Sequence, residues 1–204
     1  MNDKLPLVPV FALLLATAAP IAACGGAPGR AATTVTSTAA PASLSLRDDA
    51  GRDEPLSERA ARAPLTVLLF FSSDCPVQKA HDARVRELVD AYGPRGVAFS
   101  AVVSEVGADV AAERAAAKER GLGVPVLEDK DAALADALGV EYSTHAVVLD
   151  RERRVLYSGG IDSDRTHLSP KADRWLGQAL DEALAGKPVS RAKTEPLGCP
   201  LRKH

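Results

Sequence analysis

One cysteine stands where a thiol can do chemistry. Residues 68–79 read Leu-Leu-Phe-Phe-Ser-Ser-Asp-Cys-Pro-Val-Gln-Lys, an apolar run that breaks into polar residues and then into Cys75-Pro76. The run has the form of a buried strand, and Pro76 that of a helix's first turn, where a missing N–H costs nothing. Cys75 is therefore predicted at a helix N-terminus, beside unpaired N–H groups and a partial positive charge that stabilise a thiolate. The thiolate is the nucleophile, so the position suits redox exchange. Lys79 and His81 follow within two turns and could assist the sulfur, whereas Asp74 opposes them. A Cys-x-x-Cys site would carry its second cysteine at position 78, where Gln78 stands. The alternative is a buried structural cysteine, a common fate for this residue type.

The elements that position Cys75 follow from the apolar pattern. Leu65 to Phe71 reads as a buried strand, and Pro76 to Tyr92 as a helix with Val85, Leu88, Val89 and Tyr92 at helical spacing, stopped by Gly93-Pro94. Val97 to Val103 is a second buried strand, and Asp109 to Arg120 an Ala-rich helix ending at Gly121. A short extended piece at 124–127, a short helix at 132–138 and a strand at 146–149 come next. A charged turn at 150–154 leads into a strand at 155–158, and the last helix spans 172–185. The charged segment 46–63 is expected to wrap the start of the domain. The order β-α-β-α-(β)-α-β-β-α predicts an α/β sandwich with a mixed sheet.

Composition limits the remaining choices. The chain has 204 residues, a formal net charge of -2, 46% hydrophobic and 25% charged residues. No large basic patch shows, so a nucleic-acid partner is not expected. Residues 1–23 have a short polar start, an apolar run and small residues before Cys24, in the pattern of an export signal. Ile21-Ala22-Ala23-Cys24 is similar to a bacterial lipobox, which makes Cys24 the expected lipidation site and the membrane an expected partner. Two acyl chains suffice for stable attachment. A plain secretory signal or an uncleaved anchor are the alternatives. Residues 24–45 are small, Pro/Gly/Thr-rich and nearly uncharged, and read as a tether. Residues 46–204 are the expected domain, with 186–204 as its tail.

The ordered motifs carry a resemblance. Phe70-Phe71-Ser72-Ser73-Asp74-Cys75-Pro76 with its helix, then Gly123-Val124-Pro125-Val126-Leu127, Leu134-Ala135-Asp136-Ala137-Leu138-Gly139-Val140, Val147-Val148-Leu149-Asp150 and Tyr157-Ser158-Gly159-Gly160-Ile161-Asp162 follow one another as in redoxins. These are the peroxiredoxin-like branch of the thioredoxin superfamily, of the alkyl hydroperoxide reductase/thiol-specific antioxidant type. The tail Thr194-Glu195-Pro196-Leu197-Gly198-Cys199-Pro200-Leu201 is similar to theirs. The resemblance implies a thioredoxin-like three-layer sandwich, a central mixed sheet flanked by helices. It implies Cys75 as the attacking thiolate and Ser72, three residues before it, as the matching hydroxyl. The proline of the peroxiredoxin pattern is replaced by Leu68. Tyr142-Ser143-Thr144-His145 supplies no arginine to polarise a peroxide, and Thr144 stands where related proteins place a cis-proline.

The second sulfur is then sought in the tail. With Cys24 lipidated, Cys75 and Cys199 remain, and an oxidising compartment favours their pairing as a disulfide. Cys199 is the expected resolving thiol, and a permanent staple without turnover is the alternative. His81, His145, His167 and His204 show no metal-ligand spacing, so no metal or other cofactor is expected. The reading is a thiol-dependent oxidoreductase of the cell envelope, acting on a thiol/disulfide protein partner or on a peroxide. The alternative is a non-catalytic envelope binding module stapled by Cys75–Cys199.

Overall fold

The computed structural model describes residues 39–203. The expected signal segment, Cys24 and most of the expected tether lie outside them. In chain order the elements are β1 (Ser45–Arg47), β2 (Asp53–Pro55), α1 (Leu56–Ala61), β3 (Leu65–Phe70), α2 (Pro76–Tyr92), β4 (Val97–Val103), α3 (Val110–Glu119), β5 (Val126–Glu128), α4 (Ala133–Leu138), β6 (Ala146–Asp150), β7 (Val155–Gly159) and α5 (Trp175–Leu184). Short 3-10 turns at Gly93–Arg95 and Lys130–Ala132 precede β4 and α4.

One mixed sheet runs in the order β2-β1-β5-β4-β3-β6-β7. β3 is parallel to β4 and β4 to β5, while β6 lies antiparallel to β3 and β7 antiparallel to β6. Pairing of Leu69 with Ala146 brings the C-terminal end of β3, which leads to Cys75, beside the start of β6, which follows Thr144.

β3 explains the two-sided core. All six of its residues are buried, as a strand covered on both faces requires. Successive side chains point to opposite faces. Val67 and Leu69 enter a core with Val85 and Tyr92 of α2 and Leu176 and Leu180 of α5. Leu68 and Phe70 enter a second core with Leu56 of α1 and Leu134 of α4. Helices on both faces of the sheet make the expected three layers.

Three boundaries differ from the sequence reading. The segment 46–63 is not a featureless wrap: β1 and β2 form a hairpin and α1 buries Leu56 and Ala60, one turn apart. Strands of three residues are too short to show a period. Residues 39–45, read as the end of the tether, dock on the domain: Ala40 donates its N–H to Arg153 O at 2.9 Å and is 3% exposed. The last helix begins at Trp175, because residues 172–174 continue the preceding loop.

The tail is an ordered strap. Residues 192–194 bond to Ser158 on β7. Residues 199–201 then bond to Glu141 and Ser143 before β6, and Arg202 O accepts from Val106 N after β4. The strap thus crosses the end of the sheet from which Cys75 emerges.

Candidate active site

Cys75 is the N-cap residue of α2, with φ −77° and ψ 117°, and no side chain caps the helix. At this position a side-chain acceptor ordinarily takes the free N–H groups of the first turn. The first turn contains no acidic residue, and Pro76 at its start has no N–H to satisfy. Cys75 N donates to Ser72 O at 3.2 Å, closing a turn over Ser72–Cys75.

Cys75 is bonded to Cys199 across a sequence separation of 124, with the Cα atoms 5.8 Å apart. The two sulfurs are unequally accessible. Cys75 is 2% exposed, whereas Cys199 is only half-buried. Cys199 is also held by Ser143: its carbonyl accepts from Ser143 N at 2.8 Å, and its N–H donates to the Ser143 side-chain Oγ at 3.2 Å.

Ser72 and Thr144, the other expected site residues, are buried. Thr144 has φ 65°, a left-handed conformation that strains a residue with a Cβ. Its N–H donates to Phe70 O at 2.7 Å, tying it to the end of β3. Thr144 Oγ1 is buried without a hydrogen-bond partner, and so is Oε1 of Gln78, which lies within α2.

His81 does not assist the sulfur. It turns into the domain, with Nδ1 on Val77 O at 2.8 Å and Nε2 on Asp162 Oδ1 at 3.2 Å. Both ring nitrogens face acceptors, so the imidazolium is the satisfied form. Burial opposes that charge, but the bonds to Asp162 and Val77 outweigh it and raise the pKa. Arg84 pairs with Asp162 and Asp164, and burial of Asp162 is outweighed by His81 and Arg84, which hold its pKa low. Lys79 and Asp74 are both exposed.

The residues that do hold the cysteine turn come from α3 and were not singled out from sequence. Glu113 accepts from Ser73 N at 2.8 Å and from Ser73 Oγ at 2.9 Å. Burial raises the Glu113 pKa, with the Ser73 bonds opposing the rise. Arg120, just past the end of α3, donates to Ser73 O at 3.3 Å and to both oxygens of Asp82 at 2.7 Å, and lies over the Phe71 ring. Ser73 is thus gripped from both ends of α3. The arginine is committed to Asp82 and to the turn. No local signal marks these partners, which lie 38 to 47 positions away in sequence.

This arrangement, a mixed sheet between helices with a cysteine capping the helix after a central strand, is that of the thioredoxin-like proteins. The redoxin family model matches residues 29–176, and the chain belongs to the redoxin family, which places it among thiol oxidoreductases. No curated protein matches. An uncharacterised conserved protein from Geobacillus kaustophilus is similar at 26% identity and a TM-score of 0.71, over 81% of this chain and 90% of that one. A hypothetical protein from Sinorhizobium meliloti is similar at 26% identity and a TM-score of 0.70, over 82% and 95%. The thioredoxin domain of a thiol-disulfide oxidoreductase from Bacteroides vulgatus shares the fold at 14% identity and a TM-score of 0.51, over 60% and 86%.

Proposed function

We propose that this protein is a cell-envelope thiol–disulfide oxidoreductase, anchored through lipidated Cys24, in which Cys75 attacks and Cys199 resolves. The observation that carries the reading is the N-cap position of Cys75, bonded to a cysteine that the strap holds in place. In the oxidised form an incoming thiolate attacks the half-buried Cys199 sulfur. The Cys75–Cys199 bond breaks, and Cys75 leaves as a thiolate onto the N-terminus of α2. A second thiol then attacks the mixed disulfide at the donor's sulfur and releases the Cys199 thiolate. Two electrons have entered the protein, and the dithiol can pass them to a substrate disulfide. The lower the pKa of the leaving thiol, the faster this exchange.

Disulfide exchange is favoured over peroxide reduction. Exchange needs an accessible thiolate and a second thiol, whereas peroxide cleavage benefits from an arginine at the sulfur, and Arg120 is spent on Asp82 and Ser73. Turnover of wild type, Cys75→Ser and Cys199→Ser with a peptide disulfide and with hydrogen peroxide tests the reading. Loss of disulfide turnover in both variants is expected. Equal rates in all three proteins would remove the enzyme.

One observation favours a second reading. Cys75 is 2% exposed beneath a strap with bonds on both sides of Cys199, which suits a staple in a binding module. A reduction potential below about -300 mV would mark a structural disulfide.

A further inference from the structure

The loop from Gly160 to Arg174, between β7 and α5, contains no helix or strand. Irregular loops of this length are uncommon inside a compact domain, and the ordered ones usually serve a function. This one is folded around Arg84 of α2. Arg84 donates to Asp164 Oδ2 at 3.1 Å and to Ser169 O at 2.6 Å and pairs with Asp162, while Ser169 N donates to Asp164. Between the clamped loop and the face of α2 lies an open cavity of about 570 Å³. Ala83, Leu88 and Ala91 of α2 form one wall, and Leu168, Pro170 and Ala172 of the loop form the other. Besides the committed Arg84–Asp162 pair, two charged groups line it, Glu87 and Arg174. Neither side chain hydrogen-bonds or ion-pairs with another described residue. Arg174 has a defined seat. A Cβ on Gly177 would lie 3.0 Å from its Nη2, so the guanidinium rests against α5 where that residue has no side chain.

We propose that this cavity binds a small apolar monocarboxylate, with the acid group on Arg174 and the hydrocarbon between α2 and the loop. Pockets for small ligands have this size and this makeup, mostly apolar walls with a few placed polar groups. A planar guanidinium with unused donors matches the two oxygens of a carboxylate, and the pair is stronger against an apolar wall than in open water. The first turn of α5 beside it carries no acidic residue, so the helix dipole adds to the field of the guanidinium. Arg84 does not compete as the anchor, because Asp162, Asp164 and Ser169 take its donors. Glu87 repels a second acid group, so a single carboxylate is the fit. None of the lining residues belongs to the cysteine turn or to the tail, and the site stands apart from the disulfide and from thiol exchange.

The test titrates octanoate into the full chain by calorimetry, with octylamine and octanol as controls of the same length. Octanoate is expected to bind with a Kd of about 1 mM or tighter, the scale for a ligand of so few atoms, and more tightly than either control. Arg174→Gln should weaken it at least about tenfold, as the loss of charge-assisted hydrogen bonds does. Ala91→Trp puts an indole into the cavity from an exposed position of α2 and should abolish binding. Glu87→Gln should tighten it by removing the repelling charge. Octylamine or octanol bound as tightly as octanoate would overturn the Arg174 anchor. Octanoate bound equally by wild type, Arg174→Gln and Ala91→Trp would overturn the site, as would no binding at about 10 mM.

Discussion

Glu113 and Ser73 are joined twice, through the backbone N–H and through the hydroxyl of Ser73, two positions before Cys75. α3 therefore sets the turn from which Cys75 caps α2. Arg120 grips the same residue by its carbonyl while forming a two-pronged ion pair with Asp82.

Removing Arg120 should expose how much this grip matters. The pair is nearly enclosed, with side-chain exposures of 13% and 11%, and breaking one side of such a pair costs about 3 kcal/mol. Arg120→Met is expected to destabilise the fold by roughly that amount in urea unfolding. Asp82→Asn added to it should recover part of the loss, because the carboxylate is no longer left uncompensated. A single variant as stable as wild type would show that the grip is dispensable.

The disulfide closes a long loop. In the chain-entropy model such a closure stabilises by roughly 4–5 kcal/mol, and measured values are often smaller. Cys199→Ser is expected to lower stability by about 2–4 kcal/mol. The strap should stay docked, since Leu201 is buried and Lys203 Nζ keeps its bonds to Asp136 and Glu141 at 2.8 Å. Slow alkylation of Cys75 in this variant, speeded by denaturant, would confirm the docked strap; alkylation as fast as in a free peptide would refute it.

Two histidines predict opposite pH limbs. His81 has a raised pKa, so its contribution is complete below its ordinary value of 6.5 and is lost as pH rises through the folded value. His145 is buried, with Nε2 on Ser158 Oγ at 2.8 Å, and burial together with Lys193 lowers its pKa to about 4. The unfolded chain gains the His145 proton first, so stability falls as pH drops from 6.5 to about 4. Thermal midpoints across pH should peak near 6.5. His81→Gln should flatten the alkaline limb and His145→Gln the acid limb; unchanged limbs would contradict the assignment.

Gly159 marks the other anchor of the strap. A Cβ there would lie 2.8 Å from both Thr194 N and Thr194 O. Gly159→Ala is expected to push residues 192–194 off β7 at a cost of about 1–3 kcal/mol. Hydrogen exchange should report it as faster exchange of the Thr194 and Ser158 amides, which otherwise bond across the contact. Unchanged exchange at both would show that β7 yields instead.

The sequence by itself determined β3, α2, β4 and the place of Cys75 between strand and helix. Each is a local pattern: an unbroken apolar run, a helical spacing, a proline in a first turn. With Cys24 assigned to lipid, the cysteine count pointed to Cys199 as the partner. Only the tertiary structure decided what surrounds the sulfur. His81, close in sequence, turns inward because Asp162 holds its Nε2, while Glu113 and Arg120, distant in sequence, reach the cysteine turn. It also revealed that the tail pairs with Tyr142 in a single antiparallel bridge and that Gly198 must be a glycine there. The physical reason is range. Propensity and periodicity act over a few residues, whereas a buried ion pair or a carbonyl pressed against a missing Cβ depends on segments that meet only when the sheet has formed.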